Sequence, residues 1–256
     1  MKSKQKVHLI IPCGGAGRRF VEKGVCVIKP LIPLFGKPFF YWAAKSVLNC
    51  KDFDVKDITF VMLKEHNERY GFADKVKTYF PSANIVELPC QLSGPVYTAM
   101  MGALSIKDDT AVIFQDCDHA MVLDDVSVIK HADAAVATFK SNNPQYGYLL
   151  HMDGDETKNV CGVVEKETVS ENALFGLYYF KSKNLFLNTA TLYLDSVRRN
   201  YGQEAVMSGV VNYLTQNSDN IYSFKTKEHF EFGTFEEFEN LKNTIDEDEL
   251  KRKLGV

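Results

Sequence analysis

The residues best placed to do chemistry come early in the chain. An apolar run at residues 7–12, VHLIIP, leads into Gly14-Gly15-Ala16-Gly17-Arg18-Arg19, and Lys29-Pro30-Leu31 begins ten residues after Arg19. A strand feeding a glycine loop lets backbone N–H groups approach a phosphate chain. Arg18, Arg19 and Lys29 add positive charge where a triphosphate would lie. The loop is neither of two familiar phosphate cradles. It lacks the Gly-x4-Gly-Lys-Ser/Thr of the P-loop, and Phe20 stands where the third glycine of a dinucleotide fingerprint should fall. Taken alone, such a loop is as readily a plain turn.

A second constellation is Val112-Ile113-Phe114-Gln115-Asp116-Cys117-Asp118, an apolar strand ending in two carboxylates one residue apart. The carboxyl edge of a parallel sheet is where open α/β folds place their ligands. Hard oxygen ligands there suit Mg²⁺, which takes one or two carboxylates plus phosphates. Either Asp could instead shape a turn or cap a helix. His119 follows directly, but no second His supports a zinc site. Three further segments stand out: Gln91-Leu92-Ser93-Gly94-Pro95-Val96-Tyr97-Thr98, Gly162-Val163-Val164-Glu165-Lys166 with Phe175-Gly176-Leu177-Tyr178-Tyr179-Phe180, and Glu231-Phe232-Gly233-Thr234-Phe235-Glu236-Glu237. Locally, the first is a loop ahead of a helix, and Glu165-Lys166 is a charged surface pair. In the last, Thr234 is a helix N-cap with Glu237 completing a capping box. Cys13 and Cys117 could approach each other at the sheet edge, although burial is the commoner fate of a free cysteine.

In chain order, these segments resemble the nucleotidyltransferases of the NDP-sugar pyrophosphorylase type. That family carries Gly-Gly-x-Gly-x-Arg, Pro-Lys-Pro-Leu and Gly-Lys-Pro. Here they read Gly14-Gly15-Ala16-Gly17-Arg18-Arg19, Ile28-Lys29-Pro30-Leu31 and Gly36-Lys37-Pro38. The resemblance runs from Gly14 to Glu237. It implies a doubly wound, three-layer α/β/α fold, Rossmann-like and glycosyltransferase-A-like, with a mixed central sheet. It also implies transfer of a nucleoside monophosphate from a nucleoside triphosphate to a small phosphorylated acceptor. A sugar 1-phosphate is the expected acceptor, and the product would be an activated precursor for surface or capsule polysaccharide.

By the same resemblance, Gly14, Gly15, Ala16, Gly17 and Arg18 bind the nucleotide, with Gln91 and Gly94 near the base. Arg19 and Lys29 are catalytic. Asp118 and Glu231, with Asp116, hold Mg²⁺. Gly147, Glu165, Lys166 and Gly176 receive the acceptor. The chain departs from the family pattern at three of these places. Arg18 stands where Thr is common, Asp116 replaces an Asn, and Glu231 replaces an Asp. The spacing from Gln91 to Gly94 is shorter than in the thymidylyltransferase form, which leaves the base open. Two other readings remain. One is a metal-dependent glycosyltransferase using Asp116-Cys117-Asp118 as an Asp-x-Asp motif; the other is a non-catalytic nucleotide-binding protein.

The elements that must position these residues follow from periodicity. Short apolar runs predict strands at 7–11, 58–63, 85–88, 111–115, 134–139, 148–152, 174–180 and 221–224. Helices are expected from Pro38 onward and at 65–80, 97–104, 184–199, 204–216 and 235–253. Asp153-Gly154-Asp155 reads as a turn between two strands. No Pro/Gly/Ser linker divides the 256 residues, so one domain is expected, with 233–256 as a charged helical segment. That segment could pack, lie solvated, or form a subunit contact in a homo-oligomer. A composition of 45% hydrophobic and 25% charged residues is ordinary for a globular protein, and a net charge of −3 offers no basic field for nucleic acid. The apolar run near the N-terminus is shorter than the ~7–15 residues of a signal peptide core. No stretch approaches the ~20 apolar residues of a membrane span. The six cysteines form no Cys-x-x-Cys and read as reduced thiols. A cytoplasmic protein is the expectation.

Overall fold

The computed structural model describes residues 4–15, 17–154, 159–198 and 204–256. The strands among them are β1 (Gln5–Cys13), β2 (Pro33–Leu34), β3 (Lys37–Pro38), β4 (Phe53–Leu63), β5 (Asn84–Leu88), β6 (Val112–Gln115), β7 (His119–Leu123), β8 (Ala134–Lys140), β9 (Gly147–His151), β10 (Val160–Glu165), β11 (Asn172–Phe180) and β12 (Ile221–Glu231). The helices are α1 (Arg18–Val21), α2 (Phe39–Leu48), α3 (Lys64–Tyr70), α4 (Phe72–Tyr79), α5 (Pro95–Leu104), α6 (Lys183–Arg198), α7 (Met207–Leu214), α8 (Phe235–Thr244) and α9 (Glu247–Leu254).

Ten strands form one mixed sheet in the order β5-β4-β1-β6-β11-β8-β12-β7, with β9 and β10 attached at β11. From β5 to β6 the pairings are parallel, and β11 then enters antiparallel to both β6 and β8. Central strands of such a sheet are covered on both faces and so become continuously apolar. In β1, Val7, Leu9, Ile11 and Cys13 enter one core with Phe40, Trp42 and Phe72. Ile10 enters the other, with Val96, Ala99, Phe186 and Val210. Helices α2, α4, α8 and α9 thus cover one face, and α5, α6 and α7 the other. This is the three-layer mixed α/β architecture that the resemblance implies. No helix among the described residues is long and apolar enough to cross a membrane.

The chain runs outward from β1 to β4 and β5, then returns past β1 to lay down β6. The strand order therefore reverses between β1 and β6, and a crevice opens at their carboxyl ends. The glycine loop leaves β1 there, and Asp116 follows β6.

The expected strands fall inside observed ones except at two ends: Ala111 lies just before β6, and Met152 lies just past β9. β9 stops at His151, and Met152–Gly154 forms a 3₁₀ turn in which Asp153 takes a positive φ of 55°. Asp155 lies outside the described residues. The short β2 and β3 and the longer β7 and β10 were not expected. His119–Leu123 becomes a strand through antiparallel pairing with β12, a distant partner that no local pattern announces. The helix expected at 65–80 breaks into α3 and α4 at Gly71, whose φ of 58° ends one helix in the left-handed conformation. The helix expected at 235–253 likewise breaks at Ile245, where the backbone is extended and Asp246 caps α9 by accepting from the Glu249 N–H at 2.8 Å. Pro38 precedes α2 as its N-cap rather than opening it. Pro95 does open α5, two residues earlier than expected. The capping box of α8 is formed as read: Thr234 Oγ1 accepts from Glu237 N at 3.2 Å, and Glu237 Oε2 accepts from Thr234 N at 2.9 Å.

Two packing features bear on the crevice. Phe20 is 1% exposed and meets Phe39, Phe235 and Phe238 edge-on at 5.8, 6.4 and 6.3 Å between ring centroids. It nails the end of the glycine loop to the core, which explains why a large aromatic stands where a dinucleotide fold has glycine. His8, buried in β1, shares a hydrogen bond with Thr59 Oγ1 of β4 at 2.7 Å. Burial lowers its pKa, against the opposing charge of Asp57.

Phe20→Ala is expected to lower the unfolding free energy by about 3–5 kcal/mol, as for other buried Phe truncations, measured by denaturant titration. A pH dependence follows from His8. Its folded pKa lies below its ordinary 6.5, so the unfolded chain takes up the proton first as the pH falls. This contribution to stability is fully present above 6.5 and is lost as the pH drops through the lowered folded value. Melting temperatures of His8→Gln should accordingly fall less steeply than those of the wild type over that acid range.

Candidate active site

The crevice between β1 and β6 holds a cavity of about 800 Å³. One wall is the glycine loop. At Gly17 the φ is 62°, and a side chain there would meet Lys29 Cβ at 3.1 Å, so the glycine lets the loop lie directly against Lys29. Gly14 is packed on Thr98 of α5, while nothing lies within 4 Å of a side chain built at Gly15. Arg18 and Arg19 are exposed and line the cavity from α1. Ala16 lies outside the described residues. The opposite wall comes from Gln91, Leu92, Ser93, Gly94 and Pro95 at the start of α5, with Glu204 beside them. Gly94, at a φ of 131°, accepts close approach of the backbone: a Cβ there would lie 2.7 Å from the Ala205 carbonyl oxygen.

The floor is charged. Lys29 rises from a 3₁₀ turn, Lys29–Leu31, started by Pro30, and its ammonium forms an ion pair with the Asp118 carboxylate. Both side chains are mostly buried, at 23% and 14% exposure. Burial works against both charges, and the pairing overcomes it. The Asp118 carboxyl is held well below the usual carboxylate range by Lys29, and the Lys29 pKa is raised chiefly by Asp118. Asp116 fares differently. Burial, then the neighbouring Asp118 charge, push its pKa up to about 6. Cys13 and Cys117 also meet here. Burial, followed by the hydrogen bond with Cys117, keeps the Cys13 thiol neutral, and all six cysteines are free.

The structure also brings His119 against these carboxylates, behind the lining of the cavity. Ligating atoms of Asp116, Asp118 and His119 lie within 4.8 Å of one another. Gln115 sets the bend by donating from Nε2 to the carbonyls of Asp116 and His119 at 3.0 and 3.2 Å. Gly176 sits at a φ of 65° in an irregularity of β11, and its carbonyl accepts from Asp116 N at 2.9 Å. A Cβ at 176 would fall 2.7 Å from Asp116 Oδ2 and 2.8 Å from His119 Nδ1, so only glycine leaves these two side chains room.

Glu231 lies one strand over, paired with His119 through β12 and β7. Its carboxylate accepts from the Tyr146 hydroxyl and lines a second cavity of about 340 Å³ together with Glu228, Glu237 and Lys253. It is therefore not part of the Asp116–Asp118–His119 cluster. The Tyr146 pKa is pushed far up by burial and by Glu231. Of the residues expected at the acceptor, Gly147 and Glu165 face each other across β9 and β10, and a Cβ at 147 would lie 2.6 Å from Glu165 Oε1. Lys166 follows at a positive φ of 58°, its N–H on the Tyr146 carbonyl at 3.0 Å. These residues and Gly176 lie outside the lining of the 800 Å³ cavity. Gly176 meets it through Asp116, and buried Tyr178 feels the charges of both Asp116 and Glu165.

Sequence reasoning missed Glu204, which it set inside a helix. Helix α7 starts only at Met207, and residues 204–206 instead run against the Gly94 loop, with the Ala205 carbonyl accepting from Val96 N. Nothing local signals this. For His119 the signal was its place beside Asp118, and the missing second His set it aside.

A sequence profile of the nucleotidyl transferase family matches residues 8–248. No curated protein matches the chain in sequence. Among solved structures, the nucleoside-diphosphate-sugar pyrophosphorylase from Vibrio cholerae RC9 superposes with a TM-score of 0.80 at 18% identity, covering 92% of this chain and 100% of that one. The inositol-1-phosphate CTP transferase from T. maritima gives 0.69 at 12% identity, over 96% and 95% of the two chains. A UDP-glucose pyrophosphorylase complexed with UDP-glucose gives 0.70 at 16% identity, over 94% and 98%. At these identities the structures speak for the shared fold, and the profile match, spanning nearly the whole chain, speaks for descent. The protein belongs to the nucleotidyl transferase family.

Proposed function

We propose that this protein transfers a nucleoside monophosphate from a nucleoside triphosphate to a phosphorylated acceptor, most simply a sugar 1-phosphate, and releases pyrophosphate. The observation that carries this reading is the Lys29–Asp118 pair on the floor of a cavity walled by the glycine loop and the Gly94 loop. A cavity of about 800 Å³ suits a nucleotide-sized ligand. The sugar-directed names of two structural relatives support the acceptor class, and the inositol-1-phosphate enzyme extends it to a phosphorylated polyol. We read the whole chain as one catalytic domain, working in the cytoplasm on a precursor for surface polysaccharide.

An acceptor phosphate oxygen attacks the α-phosphorus of the triphosphate. A new P–O bond forms, and the bond to the β-phosphate oxygen breaks. The acceptor phosphate is largely dianionic near neutral pH because its second pKa is about 6, so no general base is needed. The catalytic work is alignment and charge neutralisation. Gly14, Gly15 and Gly17 present backbone N–H groups to the triphosphate, and Arg18 and Arg19 stand at its rim. Arg19 takes the charge of the departing pyrophosphate. Lys29 steadies phosphate charge between donor and acceptor. Gln91 and Gly94 border the base, and Gly147, Glu165, Lys166 and Gly176 shape the acceptor end.

Asp116 and Asp118 are suited to a divalent cation, expected from the sequence to be Mg²⁺. Lys29 pairs with Asp118, and Asp116 lies beside it in the same cluster, so two carboxylates share one lysine. A bound cation supplies Lewis-acid neutralisation of phosphate charge. Glu231, the further ligand implied by the family resemblance, would have to release Tyr146 to reach it.

Pyrophosphate release should appear with one nucleoside triphosphate and one acceptor in a panel of sugar 1-phosphates and small phosphomonoesters. Release of a nucleoside diphosphate from an NDP-sugar would point to a glycosyltransferase instead. Tight nucleotide binding without turnover would point to a binding protein. In the active pair of substrates, Arg19→Ala and Asp118→Ala should each lower turnover by about 10²-fold or more, the scale of one lost electrostatic stabiliser. A folded variant with near-normal turnover would remove that residue from the mechanism.

A further inference from the structure

His119 Nδ1 is a buried polar atom without a hydrogen-bond partner. A buried nitrogen in that state carries a desolvation cost unless something satisfies it. Its surroundings are built rather than accidental. The imidazole stacks on Phe175 at 4.8 Å and 27°, which fixes the ring plane. Nδ1 lies 3.8 Å from Asp118 Oδ1. A Cβ at Gly176 would lie within 3 Å of both Asp116 Oδ2 and His119 Nδ1, so the glycine lets these two side chains pack directly against β11 and against each other. Two carboxylates and one oriented imidazole nitrogen thus converge, while Glu231 is turned to Tyr146 and another cavity.

We propose that the cation site of this chain is a mixed nitrogen–oxygen centre made of Asp116, Asp118 and His119 Nδ1, and that it takes a first-row transition ion such as Mn²⁺ or Co²⁺ in preference to Mg²⁺. The proposal deepens the nucleotidyl-transfer reading and rests on it. The chemical reason is ligand type. Mg²⁺ demands near-ideal octahedral geometry, takes oxygen ligands and dehydrates reluctantly, whereas first-row transition ions accept an imidazole nitrogen beside carboxylates, with affinity rising from Mn²⁺ to Co²⁺. A His119 placed beside Asp118 only by its stacking on Phe175 is the competing explanation of the same contacts. It predicts no metal–nitrogen bond.

The test uses the full chain with Mn²⁺ alone, without nucleotide. Mn²⁺ should bind about 10-fold or more tightly than Mg²⁺ in calorimetric titration, and the electron spin echo of the bound ion should carry modulation from one imidazole nitrogen. In His119→Ala the nitrogen modulation should vanish and Mn²⁺ affinity should fall about 10-fold or more, with Mg²⁺ affinity much less affected. His119→Gln, which offers an oxygen in place of nitrogen, should keep Mg²⁺ binding and lose the Mn²⁺ preference, and it serves if the alanine variant fails to fold. Glu231→Gln should leave Mn²⁺ binding unchanged. Failure of the wild type to bind Mn²⁺, absence of nitrogen modulation, or loss of Mn²⁺ binding in Glu231→Gln with His119→Ala intact would each overturn the proposal. Pyrophosphate release measured in parallel separates the two readings. Transfer without a nitrogen-bound ion sinks only this proposal, and a nitrogen-bound ion without transfer sinks only the assigned reaction.

Discussion

Two loops can face each other across the end of a parallel sheet only where neighbouring strands send their crossovers in opposite directions. In this chain that happens once along the parallel run, between β1 and β6, and the site depends on it. The glycine loop leaves β1 on one side, and Asp116 to His119 leave β6 on the other. Each strand is buried on both faces, which fixes its register against its neighbours. A slip of one residue would shift Asp116 and Asp118 relative to Lys29 and exchange the residues packed into the two cores.

The geometry places two carboxylates below the surface of a narrow crevice, where an uncompensated charge is costly. Lys29 answers for Asp118, and the answer is unequal. Asp118 is pulled well below the ordinary carboxylate range while Asp116 is pushed above it. On the proposed function, the acidic floor would meet a divalent cation and the glycine loop with its two arginines would meet a triphosphate. Electrostatic frustration of this kind is expected where a fold trades stability for binding.

Glycines and aromatics do the positioning between them. Gly17, Gly94 and Gly176 each occupy a conformation or a space denied to other residues, and each lets one part of the site touch another: loop to Lys29, loop to Ala205, strand to Asp116 and His119. Phe20 does the reverse. By filling the core among Phe39, Phe235 and Phe238 it ties the glycine loop to α8, the helix that follows Glu231. The two ends of the chain's chemistry are thereby packed against one another, although they are far apart in sequence.

Much of this was legible in the residues. The apolar runs marked the buried strands because both faces of a central strand must be apolar. Thr234 and Glu237 marked the start of α8 because a capping box is satisfied by backbone groups only three residues away. The glycine loop and the Asp-x-Asp were visible as types and spacings. Local rules also failed in identifiable places. Gly71 and Ile245 break helices whose apolar periodicity runs on, and His119–Leu123 is a strand only because β12 lies beside it. The sequence by itself determined most of the elements, because propensity, periodicity and capping act over a few residues. Tertiary structure alone decided that Lys29 meets Asp118, that Glu231 turns to Tyr146, that Glu204 lines the cavity and that His119 joins the carboxylates. Those contacts depend on strand order and register, which are properties of the whole sheet and of no segment within it.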